Sequence, residues 1–238
     1  MNNIENFVVF DIETTGFDPM KEQIIEIGAV KIDSKGTVIE RFSKFISLYR
    51  HQSVPAEIVK LTNITDDILK EEGEEVKKVI EEFLDFSEGS ILVAQNAKFD
   101  MSFLTAYTLF AKKEINGRMF VDTINLAKVI YPGKSSYSLK NLVTYFEIEY
   151  DADAHHRADY DAEITANLFV KQLEMLEFGS EIAIEELLKK EAALAPSEKQ
   201  LSFLSSLIEQ KNITENQMYF TKQTISTHID MLMKMPNA

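Results

Sequence analysis

Apolar residues recur along this chain with two different periods, and the switch between them predicts its elements. Residues 6 to 12 form a nearly continuous apolar run, residues 24 to 32 alternate through Ile25, Ile27 and Ala29, and residues 37 to 47 follow a Ser34-Lys35-Gly36 turn. Short apolar or alternating runs joined by turn residues predict strands, here a three-stranded meander. The period then becomes helical: from Glu75 to Phe86 the apolar positions are Val76, Val79, Ile80, Phe83 and Leu84. The acids from Glu71 to Glu75 read as a solvated helix start, because negative charge suits a helix N-terminus. Beyond it, residues 90 to 94 read as a short buried strand. Residues 97 to 111 read as a helix with Phe99, Phe103, Leu104 and Tyr107 on one side. Another short strand ends at Val121, before helices at about 123 to 130, 138 to 146, 159 to 177 and 181 to 191. Strands first, then alternating strands and helices, predict an α/β fold: a mixed sheet flanked by helices.

The pattern breaks at Ala192-Ala193-Leu194-Ala195-Pro196-Ser197. Residues 1 to 191 are therefore expected to form the main domain, 192 to 198 a linker, and 199 to 238 a small helical C-terminal extension. That extension carries an amphipathic helix through Leu201, Leu204, Leu207 and Ile208, with a second helix beginning near Thr221. Two helices of this length make a marginal core alone, so they are expected to dock on the main domain or on a partner.

A hydrophobic content of 45% is ample for a packed core, and the absence of cysteine removes disulfides, thiolate zinc sites and a cysteine nucleophile. No apolar run approaches membrane-spanning length, and the acidic, Asn-rich N-terminus does not resemble a secretion signal. A soluble cytoplasmic protein without membrane partners is the expectation. The net charge is −14, and because residues 196 to 238 carry four lysines and four acids, all of it lies in residues 1 to 195. Such a surface argues against binding nucleic acid through a broad basic stripe. It leaves room for phosphate contacts made through divalent ions held by carboxylates.

The first strand ends in Phe10-Asp11-Ile12-Glu13-Thr14-Thr15-Gly16. Side chains two apart on a strand share a face, so Asp11 and Glu13 sit side by side where the apolar run ends. Two carboxylates so placed repel unless a cation joins them, and a hard divalent ion such as Mg²⁺ or Mn²⁺ takes oxygen ligands of this kind. Two other segments offer partners. Asn96-Ala97-Lys98-Phe99-Asp100 puts Asp100 in the first turn of a helix, where it serves either the helix dipole or a metal. His156-Arg157-Ala158-Asp159-Tyr160-Asp161 spans a loop and the first turn of the long helix, with Asp159 as the expected N-cap and His156 and Asp161 able to face one pocket. Asp122, directly before a helix, also reads as an N-cap. His155 reads as an exposed loop residue.

At these three segments the sequence resembles the DEDDh exonucleases, a branch of the ribonuclease H-like fold that includes the proofreading subunit of bacterial replicative polymerases. The family's Asp-x-Glu-Thr-Thr-Gly is present as Asp11 to Gly16. Its His-Asn-Ala-x-Phe-Asp appears as Gln95 to Asp100, with Gln95 where relatives commonly carry His. Its His-x-Ala-x-x-Asp is matched by His156, Ala158 and Asp161. The resemblance covers roughly residues 5 to 177, and Ile24 to Val30 and Val121 to Thr123 are similar to its second strand and a strand-to-helix junction.

The resemblance implies four carboxylate ligands, Asp11, Glu13, Asp100 and Asp161, around two Mg²⁺ or Mn²⁺ ions, with His156 as general base. It also implies release of nucleoside 5′-monophosphates from a 3′ end. Thr14, Thr15, Gly16 and Phe17 are expected to border the terminal nucleotide, and Phe103 lines that pocket or belongs to the core. The expected substrates are single-stranded or frayed 3′ ends, DNA in preference to RNA, attacked distributively. A polymerase, helicase or other replication or repair protein is the expected partner of the C-terminal helices. Family relatives that trim RNA share these motifs, and a non-catalytic binding module is the competing class.

Overall fold

The computed structural model describes residues 6–19, 21–111, 120–151 and 156–175, together with the single residues Ser206 and Met233; the side chains of residues 105, 106 and 108–111 are not described. The helix expected at 181 to 191 and the linker at 192 to 198 lie outside these residues, as does the C-terminal extension apart from those two positions.

Five strands form one sheet in the order β3-β2-β1-β4-β5. They are β1 (Asn6–Thr14), β2 (Ile24–Asp33), β3 (Val38–Phe45), β4 (Ile91–Ala94) and β5 (Phe120–Asp122). The expected meander is present, with β1 to β2 and β2 to β3 antiparallel, while β4 and β5 join β1 in parallel. Parallel strands need crossovers. The segment containing α3 (Val76–Phe86) leads into β4, and α4 (Ala97–Ala111) into β5. Then follow α5 (Thr123–Ile130), α6 (Leu139–Tyr145) and α7 (Ala158–Met175).

The period-2 alternation of β1 sorts its side chains onto two cores. Val8, Phe10 and Ile12 face α3 and α4, packing with Val79, Phe83, Met101 and Leu104. Phe7 and Val9 face α7, packing with Ala162, Ala166 and Phe169. Asp11 and Glu13 continue the second series, so the strand aims both at the start of α7.

One expectation needs correction. The polar stretch before α3 contains two further short helices, α1 (Ala56–Thr62) and α2 (Asp66–Glu71), the second capped by Thr65, whose side chain accepts from the Ile68 N–H at 3.3 Å. The acids from Glu71 to Glu75 are accordingly not one helix start: Glu71 closes α2, Glu75 precedes α3, and Glu74 pairs with Lys44 and Lys78. Among the described residues no helix is long and apolar enough to cross a membrane.

Candidate active site

The start of α7 can lie against the sheet because β2 has no side chain at the crossing point. Gly28 pairs with Asp11 in the β1–β2 register, and a Cβ there would stand 2.1 Å from the carbonyl carbon of Ala158. Beside it Glu26, fully buried, pairs in register with Glu13 and accepts the Ala158 N–H at 3.0 Å. The same carboxylate takes the Arg157 guanidinium at 2.9 and 3.2 Å. Glu26 therefore supplies the cap at the start of α7. Asp159, the expected N-cap, lies inside the helix, its carboxylate accepting the Tyr160 N–H at 2.8 Å.

Against this anchored start, His156 takes a left-handed backbone with φ of 68° and donates its N–H to Asp161 Oδ2 at 3.1 Å. Ligand atoms of Glu13, His156 and Asp161 converge within 4.8 Å of one another, a group able to hold a metal ion. Asp100 arrives from the other side of the sheet: it lies in the first turn of α4, is buried, and accepts the Ile12 N–H at 3.2 Å. Since Ile12 lies between Asp11 and Glu13, that bond ties the α4 start to the strand carrying the pair.

The electrostatics show how closely these groups act on one another. Burial pushes the Glu13 carboxyl up to about 9, with Asp161, Glu26 and Asp100 adding to the rise and Arg157 opposing it. Asp11 is raised well above the ordinary range, first by burial and then by Asp100, Glu13, Asp161 and Glu26. Asp100 is raised too, chiefly by burial, against the stabilising bond from Ile12. Carboxyls kept protonated first by burial and, at Asp11 and Glu13, also by neighbouring acids fit a site whose charge is neutralised by cations.

The segment after the pair divides in two. Thr14 and Thr15 are buried, their hydroxyls bonding to the Gly16 carbonyl and Glu22 at 2.7 Å each. Gly16 is half-buried against Glu22, while Phe17, 87% exposed, meets Phe99 edge to face at 6.2 Å. Phe103 stands behind Phe99, is 2% exposed and packs in the core with Phe10 and Leu104. His155 lies outside the described residues.

A family model described as Exonuclease matches residues 8–169. The chain belongs to this exonuclease family. Over 170 residues it is 41% identical to the DNA polymerase III PolC-type of Bacillus subtilis (strain 168), a match covering 71% of this chain and 11% of that protein. Over 169 residues it is 37% identical to the DNA polymerase III subunit epsilon of Treponema pallidum (strain Nichols), covering 70% of this chain and 76% of the subunit. The chain thus spans only 11 to 12% of the length of the PolC-type polymerases it matches first. A solved structure of exonuclease X in complex with 5′ overhanging duplex DNA superposes with a TM-score of 0.57 at 22% identity, covering 76% of this chain and 99% of that one. The fold is the ribonuclease H-like fold of the DEDD exonucleases.

In this exonuclease chain, the departure at Gln95 has a packing explanation. Gln95 Nε2 donates to the Tyr137 carbonyl at 2.8 Å, and the Thr123 hydroxyl donates to its Oε1. It thereby ties the end of β4 to α5 and to the loop before α6. Asp122 caps α5, accepting the Ile124 N–H at 2.9 Å, and also accepts the Asn96 N–H at 3.2 Å. The residues overlooked in the sequence are Glu26 and Arg157. The available signal was a lone carboxylate inside the apolar run Ile24-Ile25-Glu26-Ile27-Gly28.

Proposed function

We propose that this protein is a metal-dependent 3′–5′ exonuclease that releases nucleoside 5′-monophosphates from DNA 3′ ends, in proofreading or repair. The observation that carries the reading is the convergence of Glu13, His156 and Asp161 within 4.8 Å, with Asp11 and Asp100 acting on the same charge. Carboxylate oxygens suit Mg²⁺ or Mn²⁺, and the imidazole among them is left to handle a proton. Asp11, Glu13, Asp100 and Asp161 would hold two such ions. When bound, divalent ions polarise the scissile phosphate, lower the pKa of water and stabilise the leaving oxygen.

The chain's own residues perform the rest. His156 accepts a proton from the attacking water. The water oxygen bonds to phosphorus, the bond to the 3′ oxygen breaks, that oxygen takes a proton from solvent, and the shortened strand leaves with a 3′ hydroxyl. Gly16 and Phe17 form the lip toward the terminal nucleotide, and the buried Thr14 and Thr15 hydroxyls keep that lip in one shape. Names of the relatives favour DNA, since both are DNA polymerase III proteins. The acidic surface favours distributive attack on single-stranded or frayed ends. Residues 199 to 238 are assigned to a polymerase, helicase or similar partner, a reading supported by their amphipathic spacing and by the subunit status of the epsilon relative.

Parallel digestion of matched DNA and RNA oligonucleotides tests the substrate. Faster shortening of the DNA is expected, and faster shortening of the RNA would transfer the activity to RNA trimming.

A further inference from the structure

From residue 123 to residue 146 the chain runs for 24 residues without an acidic side chain, and it carries Lys128, Lys134 and Lys140. In a protein of net charge −14 this is a local reversal of sign. All three lysines are exposed. Lys134 Nζ lies 5.2 Å from the centre of the Tyr131 ring and 4.8 Å from that of Tyr145, and Lys128 Nζ lies 5.8 Å from that of Tyr137. The three tyrosines are half-buried on the small core of α5, α6 and α7, which leaves each ring partly open to solvent.

This surface is fixed to the catalytic end of the sheet. Gln95, one residue before the Asn96 to Asp100 segment, holds the Tyr137 carbonyl at 2.8 Å. The Tyr137 hydroxyl in turn donates to the Tyr131 carbonyl at 2.6 Å and accepts the Lys134 N–H at 3.1 Å. On the other side Tyr160, the neighbour of Asp161, packs on the same small core. The rings are therefore tied, through Gln95 and Tyr160, to the two segments that carry Asp100 and Asp161.

We propose that this lysine and tyrosine surface, built from α5, the loop at 131 to 138 and α6, takes the single strand lying 5′ of the nucleotide in the active site. Lysines neutralise phosphates, and a ring edge and face beside them offer a stacking platform that accepts any base, the two elements of single-strand binding. Three lysines suit a short grip, which agrees with distributive attack on an acidic protein. The inference rests on the exonuclease reading for the placement of the 3′ end.

The test is fluorescence anisotropy of a 5′-labelled oligothymidylate of about 12 nucleotides in Ca²⁺, with wild type and a Lys128→Ala/Lys134→Ala/Lys140→Ala variant. The expected result is a Kd raised about tenfold, with the slope of log affinity against log salt reduced by about 2, near 0.7 for each phosphate that a lysine no longer neutralises. In hydrolysis the variant shows a raised KM for the oligonucleotide with kcat retained. A Lys35→Ala/Lys70→Ala/Lys77→Ala variant carries the same charge change elsewhere and is expected to bind within twofold of wild type. Unchanged affinity in the first variant, or equal weakening in both, overturns the proposal. Wild-type hydrolysis of a thymidine 5′-monophosphate aryl ester, measured in parallel with Mg²⁺ and Mn²⁺, reports on the exonuclease reading separately. Its failure alongside a tenfold change in Kd would leave the surface standing and remove the reaction.

Discussion

Glu26 and Arg157, 131 positions apart in sequence, are joined by hydrogen bonds of 2.9 to 3.3 Å, with the glutamate fully buried and the arginine partly open. The pair sets where α7 begins, because the same carboxylate caps the Ala158 N–H. His156 precedes that start by two residues and Asp161 follows it by three. A carboxylate that touches no reacting atom thus positions two groups that would.

Glu26→Ala should leave Arg157 and the Ala158 N–H without their partner. Breaking a buried ion pair costs about 3 to 5 kcal/mol, and the lower figure is expected because Arg157 can rehydrate. Chemical denaturation would check the stability, and kcat should fall together with it. Glu26→Gln keeps an acceptor for the Ala158 N–H, so it should lose less stability than Glu26→Ala.

Gly28→Ala should act on the same junction from the other strand. Its Cβ would meet the Ala158 backbone at 2.1 Å, a clash that backbone cannot accommodate without moving α7 off the sheet. A loss of about 1 to 3 kcal/mol is expected from such overpacking. Loss of hydrolysis at temperatures where the variant remains folded by circular dichroism would mark the displacement of His156 and Asp161. Full activity would contradict the packing account.

The metal-free protein should lose stability as pH rises. Asp11, Glu13 and Asp100 all have folded-state pKa values above their ordinary ones, so the folded state binds more protons than the unfolded state. Stability is then fully present at low pH and declines as these carboxyls ionise in the folded protein; for Glu13 the window runs from 4.5 to about 9. Thermal melts in EDTA across that window should show a falling Tm. Glu13→Gln should flatten the fall, and Mg²⁺ should raise Tm most at the alkaline end.

His156→Ala should separate binding from chemistry. Loss of a general base typically costs about 10² to 10⁴ in rate. Turnover is expected to drop by that factor with oligonucleotide affinity nearly retained. Wild-type rates would remove His156 from its assigned role.

The parts of the site that were legible in the sequence are those whose chemistry is local. Asp11 and Glu13 sit two apart on a strand, so their shared face follows from the backbone alone, and Asp100 and Asp161 stand in helix first turns beside recognisable motifs. Glu26 was not legible as an anchor, because its partner lies on the far side of the chain and strand alternation alone makes it merely a polar interruption. The same limit explains Asp159, expected as a cap on helix-terminus preference until a glutamate from another strand took that place. Phe103 shows the opposite ambiguity: an aromatic side chain near a ligand suits either core or pocket, and its burial behind Phe99 supports the core. In the fold, α1 and α2 could not be told apart within the polar stretch before α3, because seven and six residues give too few turns for a helical period to stand out.

The most direct test of the central claim is product analysis with a 5′-labelled single-stranded DNA in Mg²⁺ or Mn²⁺. The account predicts a ladder shortening from the 3′ end, nucleoside 5′-monophosphates as the released product, and abolition by EDTA or by Asp161→Ala. Release of the label from the 5′ end, internal cleavage, or no turnover with either metal would contradict it.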